Sequence, residues 1–260
     1  MKTTTVADEY SQSARAWLAG PQRVYSRLAD VIVAALPGVA EAAALDIGCG
    51  TGAATTALQR AGARVIALDI AAAMLAVDAD ARPPAVVGDA LALPFRDAAF
   101  DLVVAAFSLN HLPDLTVGLQ EAHRVARPGG QVVATAYADD DDHPVKAAVS
   151  EALSERGWTP SASMQVIRQQ AMPRLATVAR AHDEVAAAGL RGRAEHMCIE
   201  VPGLDASALV DWRLGMADVA PFVEQLAAPD RSELRARSLQ LLGQRPPPLA
   251  RSVVVVTIDA

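Results

Sequence analysis

Lysine is almost missing from this chain of 260 residues: Lys2 and Lys146 are the only two, and arginine carries nearly all the positive charge. No stretch gathers these cations into a stripe, and the formal net charge is −7. The basic footprint of a nucleic-acid binder is absent, which argues against a large polyanionic substrate. Cysteine is equally scarce. Cys49 lies in a glycine-rich turn and Cys198 in an expected late strand, so no disulfide framework is expected and a reducing cytoplasm is the natural compartment. Apolar residues make up 52%, but much of this is alanine. No uninterrupted apolar run approaches the roughly eighteen residues of a spanning helix, so no membrane role is expected. The first ten residues have no apolar core and carry acids, unlike a signal peptide. Internal repeats and low-complexity tails are also lacking.

What is present is one organising stretch. The apolar run 42–47 ends in Gly48, Gly50 and Gly52 at alternate positions, and a helix-compatible run, 53–60, follows at once. This is strand, tight turn and helix. Such a turn demands positive φ, and a Cβ in it would keep a ligand off the backbone. The helix that follows points its free N–H groups at whatever occupies the turn. A second strand, 63–68, ends in Asp69, at the distance where an acid meets a ribose. The unit is nucleotide-binding.

The glycine spacing differs from the G-x-G-x-x-G of dinucleotide sites, which disfavours a nicotinamide dehydrogenase. It resembles the first motif of the class I S-adenosylmethionine-dependent methyltransferases. The resemblance implies that Asp46, Gly48, Cys49, Gly50 and Gly52 face the methionine part of that cofactor. Asp69-Ile70, followed by Met74-Leu75, resembles the family's Asp-x-Ser-x-x-Met-Leu, with Ala71 where serine is common. Asp69 would accept both ribose hydroxyls, and Ile70 and Met74 would lie near the adenine. The run 88–95 matches the family's Gly-Asp-Ala-x-x-Leu-Pro-Phe, so Asp89 would accept from the adenine amino group and the Ala90 N–H would meet a ring nitrogen. The loop 107–114, with Phe107, Ser108 and His111, is similar to that of the branch containing quinone-ring and small-metabolite enzymes. His111 has two readings there, a general base or a cofactor-side residue that shapes the loop, and the second is preferred. The Glu121–Gly130 segment matches Glu-x-x-Arg-Val-x-x-Pro-Gly-Gly and reads as architecture, with Glu121 and Arg124 able to pair on a helix.

The resemblance implies an α/β fold, a Rossmann-like seven-stranded sheet of order 3-2-1-4-5-7-6 with an antiparallel last strand and a helical cap. One domain, 1–260, is expected, with N-terminal helices (1–38) over the cofactor site, a cofactor-binding core (40–137) and an inserted helical cap (202–244). Helices are expected over 6–20, 22–36, 145–157 and 174–188, and later strands over 193–200 and 251–258. Tyr10 would cover the cofactor. Trp17, Tyr25, Met164, Ile167, Trp212 and Met216 would touch a small, partly apolar acceptor, although apolar spacing in the insert equally suits a helix core.

Asp139–Asp142 is the one local charge run, with His143 beside it. It is expected to be a solvated, flexible loop and not a metal site, because strand four supplies no partner carboxylate. His143, His182 and His196 fall outside the motifs and are expected at the surface. The expected activity is S-adenosylmethionine-dependent methyl transfer to oxygen or carbon, with nitrogen less favoured. Its rivals are a cyclase that keeps the cofactor as scaffold and a non-enzymatic subunit of a methyltransferase complex.

Overall fold

Seven strands alternate with helices in the order that places every parallel strand end at one edge of the molecule. The computed structural model describes residues 5–77, 79–81 and 83–260. β1 (Ala43–Ile47), β2 (Arg64–Asp69), β3 (Ala85–Val87), β4 (Phe100–Ala106) and β5 (Ala126–Tyr137) pair in parallel, while β7 (Leu249–Asp259) runs antiparallel between β5 and β6 (Gly192–Val201). The sheet order is β3-β2-β1-β4-β5-β7-β6, as expected. The central strands are predominantly apolar because helices cover both faces. Leu45, Val103, Val104, Val133 and Val254 are all but inaccessible to solvent.

The reversal of strand order lies between β1 and β4, where chains leave in opposite directions and open a crevice beyond the strand ends. α1 (Val6–Ala19) and α2 (Pro21–Ala34) lie near this edge. Thr5 starts α1 with a reciprocal capping box to Asp8, and Gly20-Pro21 separates the two helices because proline suits a first turn and not a helix interior. α3 (Ala53–Arg60) follows the glycine turn, and the short α4 (Ala72–Ala76) follows β2. α5 (Leu115–Val125) leads into β5. Its Glu121 and Arg124 pair at 2.7 Å, and both reach the 93–95 loop, through the Leu93 N–H and the Leu93 and Phe95 carbonyls. Two segments that looked separate in sequence are thus one clamp.

Beyond β5 come α6 (Pro144–Ser154), α7 (Ala162–Val166), a π-helical turn at Ile167–Ala171, a 3-10 turn at Met172–Leu175 and α8 (Val178–Ala187). α8 begins later than the expected 174 because Pro173 falls in the 3-10 turn and the Thr177 hydroxyl caps the Arg180 N–H. Between β6 and β7 lie α9 (Ala206–Leu214), α10 (Ala220–Gln225) and α11 (Ala228–Leu242). Among the described residues no helix is long and apolar enough to cross a membrane.

Two expectations are corrected here. The acidic run is not a solvated loop throughout: the Asp141 side chain is 3% exposed and accepts from Arg251, Lys146 and the Ser252 N–H. Arg251 is buried near the start of β7, paired with Ile199 of β6, and a buried guanidinium requires a counter-charge. His143 is buried and not at the surface. Its Nδ1 accepts from the Val145 N–H, so Nε2 carries the hydrogen and donates to the Pro247 carbonyl at 3.0 Å. His182 and His196 are exposed.

Candidate functional site

Two cavities meet at the carboxyl edge of the sheet. The first, about 490 Å³, lies on the glycine turn and is roofed by Thr5, Val6 and Ala7 of the N-terminal segment. Gly48 has φ +67°, and a Cβ there would meet the Ser108 Cβ at 2.4 Å. Gly50 has φ +54° and only open space where its Cβ would stand, so the backbone is bare toward the cavity. Asp69 is held by the N–H groups of Gly50 at 2.7 Å and Ala71 at 2.8 Å. These bonds tie the end of β2 to the turn after β1 and fix the carboxylate at the cavity wall. Ile70, more than half exposed, presents an apolar face to the same space, and the exposed Asp89 stands beside it with the Leu91 N–H on one oxygen.

Of the residues expected to hold the cofactor, Tyr10, Asp46, Gly48, Cys49, Gly50, Asp69, Ile70, Met74, Asp89, Ala90, Phe107, Ser108 and His111 all line this cavity. Gly52 does not. It sits behind the turn as the N-cap of α3 with φ +91°. Asp46 is fully buried and accepts from the Thr55 hydroxyl at 2.5 Å, which binds β1 to α3. The wall also includes Thr51, Leu91, Leu112 and Pro113, none of which the motifs singled out. The bare glycine backbone, a carboxylate at the ribose distance and an apolar platform beside a second carboxylate suit an adenosine-containing cofactor.

The second cavity, about 520 Å³, lies between the sheet edge and the insert. Tyr10, Tyr25, Phe107 and His111 line both cavities and form the partition between them. Phe107 has φ +58°, unusual for a side chain of this size and a strain of about 1–3 kcal/mol. Two bonds from its N–H to Thr135, at 3.1 Å each, hold it there, and its ring stacks on Tyr137 at 4.6 Å and meets Tyr25 edge-on at 5.5 Å. The Tyr10 hydroxyl and His111 Nδ1 are 3.3 Å apart. Burial lowers the His111 pKa to about 4, so its ring is neutral at pH 7. Burial raises the Tyr10, Tyr25 and Tyr137 hydroxyls above their ordinary range, so these phenols keep their protons.

Tyr25, Met164, Trp212 and Met216 line the second cavity, on the side where an acceptor was expected. Trp17, expected with them, instead lines the first cavity, packed 4.8 Å from Tyr25 and 5.7 Å from Tyr10. Ile167 lines neither; it packs with Met164 and Ala171 inside the π-helical turn. The motifs gave no warning of the charged wall. Arg251 lies over the Tyr137 ring at 3.8 Å and the Trp212 ring at 4.7 Å, paired to Asp141. Burial opposes its charge, but Tyr137 and Asp141 outweigh this and hold its pKa above the usual arginine value. Arg168 and Arg213 both pair with Asp218, whose side chain is 4% exposed.

The chain's likeness to known proteins agrees with this geometry. Residues 45–134 match the methyltransferase domain family. Over 89 residues the chain is 45% identical to a demethylmenaquinone methyltransferase of Mycolicibacterium gilvum, covering 34% of this chain and 39% of that protein. The chain thus spans under half the length of that relative. A candidate methyltransferase of Haloferax volcanii, solved with the Trm112 methyltransferase activator, shares 18% identity at a TM-score of 0.59, covering 98% of this chain and 97% of the other. A candidate methyltransferase from an antibiotic biosynthesis pathway in Anabaena variabilis shares 17% at 0.60, covering 88% and 96%. At these identities the solved structures establish the fold. The matched methyltransferase domain takes in the strands and turns that line the first cavity, and the strand order is the one the resemblance implies.

Proposed function

We propose that this protein transfers a methyl group from S-adenosylmethionine to an oxygen or carbon atom of a small, partly apolar acceptor held in the second cavity. The observation that carries the reading is the partition: two cavities of similar size share one thin wall made of Tyr10, Tyr25, Phe107 and His111. A donor in one and an acceptor in the other would meet there. When bound, S-adenosylmethionine supplies an electrophilic methyl group on a sulfonium.

Gly48, Cys49 and Gly50 would hold the amino-acid end against the turn, Asp69 the ribose hydroxyls, and Ile70, Asp89 and Ala90 the adenine. Asp69 suits this role because its two backbone bonds orient it while charge-assisted acceptance remains its chemistry. The chain's main contribution to rate is alignment, since holding donor carbon and acceptor atom in line converts an encounter into a unimolecular step. The strained Phe107, clamped by Thr135 and packed against the rings of Tyr25 and Tyr137, gives that wall its rigidity.

A hydroxyl or carbon acid must also lose a proton. His111 is neutral at pH 7, and with Nδ1–H donated to the Tyr10 oxygen its Nε2 is free to accept one. The alternative tautomer, with Tyr10 donating to Nδ1, makes the pair a positioning element for the wall. His111→Ala decides between these: loss of turnover with cofactor affinity intact assigns the base.

The test of the whole reading is calorimetric titration with S-adenosylhomocysteine, with NAD as control, followed by product mass against candidate acceptors. Micromolar binding of the first alone and a gain of one methyl group support it. Absence of S-adenosylhomocysteine binding overturns it.

A further inference from the structure

The second cavity carries more positive charge than its own carboxylates balance. Five cations (Lys146, Arg168, Arg180, Arg213 and Arg251) line it against Asp139, Asp141 and Asp218. The excess is arranged, because each of the two buried carboxylates serves two cations at once. Asp141 meets Arg251 and Lys146, and Asp218 meets Arg168 and Arg213. The chain as a whole is acidic, with a net charge of −7, so this cavity runs against the molecule's own sign. The unbalanced cations, Arg180 and Arg168, are the solvent-reachable ones, so an anion entering the cavity can meet them.

The two clusters are not equivalent. At the Asp141 cluster Arg251 is buried against the Tyr137 and Trp212 rings, with Nε and Nη2 on Asp141 and Nη1 buried without a hydrogen-bond partner among the described residues. At the Asp218 cluster the Arg168 side chain is 37% exposed and meets Asp218 through Nη2, with no other hydrogen-bond partner among the described residues. Its Nε and Nη1 carry no other bond among the described residues, so the guanidinium keeps donors for a further anion beside Asp218. Arg213 flanks the same carboxylate through both of its terminal nitrogens at 3.3 and 3.4 Å. The same cavity ends at the partition in the aromatic side chains of Tyr10, Tyr25 and Phe107, which suit a flat ligand.

We infer that the acceptor is an anionic aromatic compound whose carboxylate is bound by Arg168 and Arg213 while its ring lies toward the aromatic partition. This rests on the second cavity being the acceptor site. It narrows that site from small apolar molecules in general to carboxylated aromatics, and it assigns Arg168 as a specificity-determining residue remote from the methyl-accepting atom.

The test uses a hydroxynaphthoate and the corresponding hydroxynaphthamide as probes, each titrated calorimetrically into the full-length protein with and without saturating S-adenosylhomocysteine. The acid should bind about ten-fold or more tightly than the amide, a preference of 1.4 kcal/mol. Added salt should weaken the acid and leave the amide unchanged, since the difference is electrostatic. Arg168→Gln should remove the preference while S-adenosylhomocysteine affinity stays at its unmutated value, which also shows that the variant is folded. Equal or tighter amide binding, binding of neither probe, or an unchanged preference in Arg168→Gln overturns the inference. Failure of S-adenosylhomocysteine to bind, with the acid still preferred, instead overturns the donor assignment and leaves the anion site standing.

Discussion

Asp141 and Arg251, 110 residues apart in sequence, form a two-point ion pair, Nε to Oδ1 at 2.9 Å and Nη2 to Oδ2 at 2.7 Å, with both side chains almost wholly buried. The same carboxylate accepts from the Ser252 N–H and from Lys146, so one side chain joins the end of β5, the start of α6 and the start of β7. Asp141→Ala would leave two cations at a buried site without a counter-charge. We expect a loss of roughly 3–5 kcal/mol in urea denaturation, the range for breaking a buried pair from one side. A loss below 1 kcal/mol, no larger than that of an exposed pair, would mean that water fills the gap.

Asp69→Ala should weaken S-adenosylhomocysteine binding by roughly 1.5–3 kcal/mol, the range for hydrogen bonds to a charged group. It also frees the N–H groups of Gly50 and Ala71, so thermal stability should fall along with affinity. Titration calorimetry separates the two effects when run well below the melting temperature. Unchanged affinity there would remove Asp69 from the ribose.

Gly48→Ala should fail for two separable reasons. The new methyl would stand 2.4 Å from the Ser108 Cβ, and φ +67° disfavours any side chain. Replacing Ser108 by glycine in the same chain should recover the steric part and leave the conformational part, about 1–2 kcal/mol. Full recovery of stability by the double variant would show that the backbone angle is not limiting.

The buried His111 makes a pH prediction with a definite sign. Its folded pKa is about 4 against the ordinary 6.5, so below pH 6.5 the unfolded chain takes up a proton that the folded chain refuses. Stability is full above pH 6.5, falls as pH drops toward 4, and loses on the order of 3 kcal/mol across that window. Comparing urea denaturation of the natural protein and His111→Gln at pH 7 and pH 5 checks this. The fall should be smaller in the variant, and equal falls would sink the assignment.

The parts of the site that were legible in the sequence are those set by neighbours in the chain. Alternate glycines after an apolar run, an acid at the end of the next strand and the Gly-Asp-Ala segment act over a few residues, and all of them except Gly52 converge on one cavity. The strand order followed from resemblance to a family with the same local units. What stayed hidden depends on distant partners. Nothing near Asp141 signals burial, because its partner Arg251 lies on a strand 110 residues later. Trp17 turned out on the donor side because α1 packs on α4, placing Trp17 with Met74 and Ala71. Ile167 points away from the second cavity because the π-helical turn adds a residue to the helical period and shifts which side chains share a face. Phe107 looked like an ordinary strand end, since left-handed φ at a phenylalanine is imposed by its contacts and not by its own preference.

The helix α1 touches both compartments: its first residues close the first cavity and its Tyr10 stands in the partition to the second. Its Glu9 is buried against the hydroxyls of Ser161 and Ser163 at the start of α7. One rigid element therefore serves as the door to two rooms. The consequence is a shared fate: any change in how α1 seats, its Glu9 contact with Ser161 and Ser163 included, alters the walls of both cavities together.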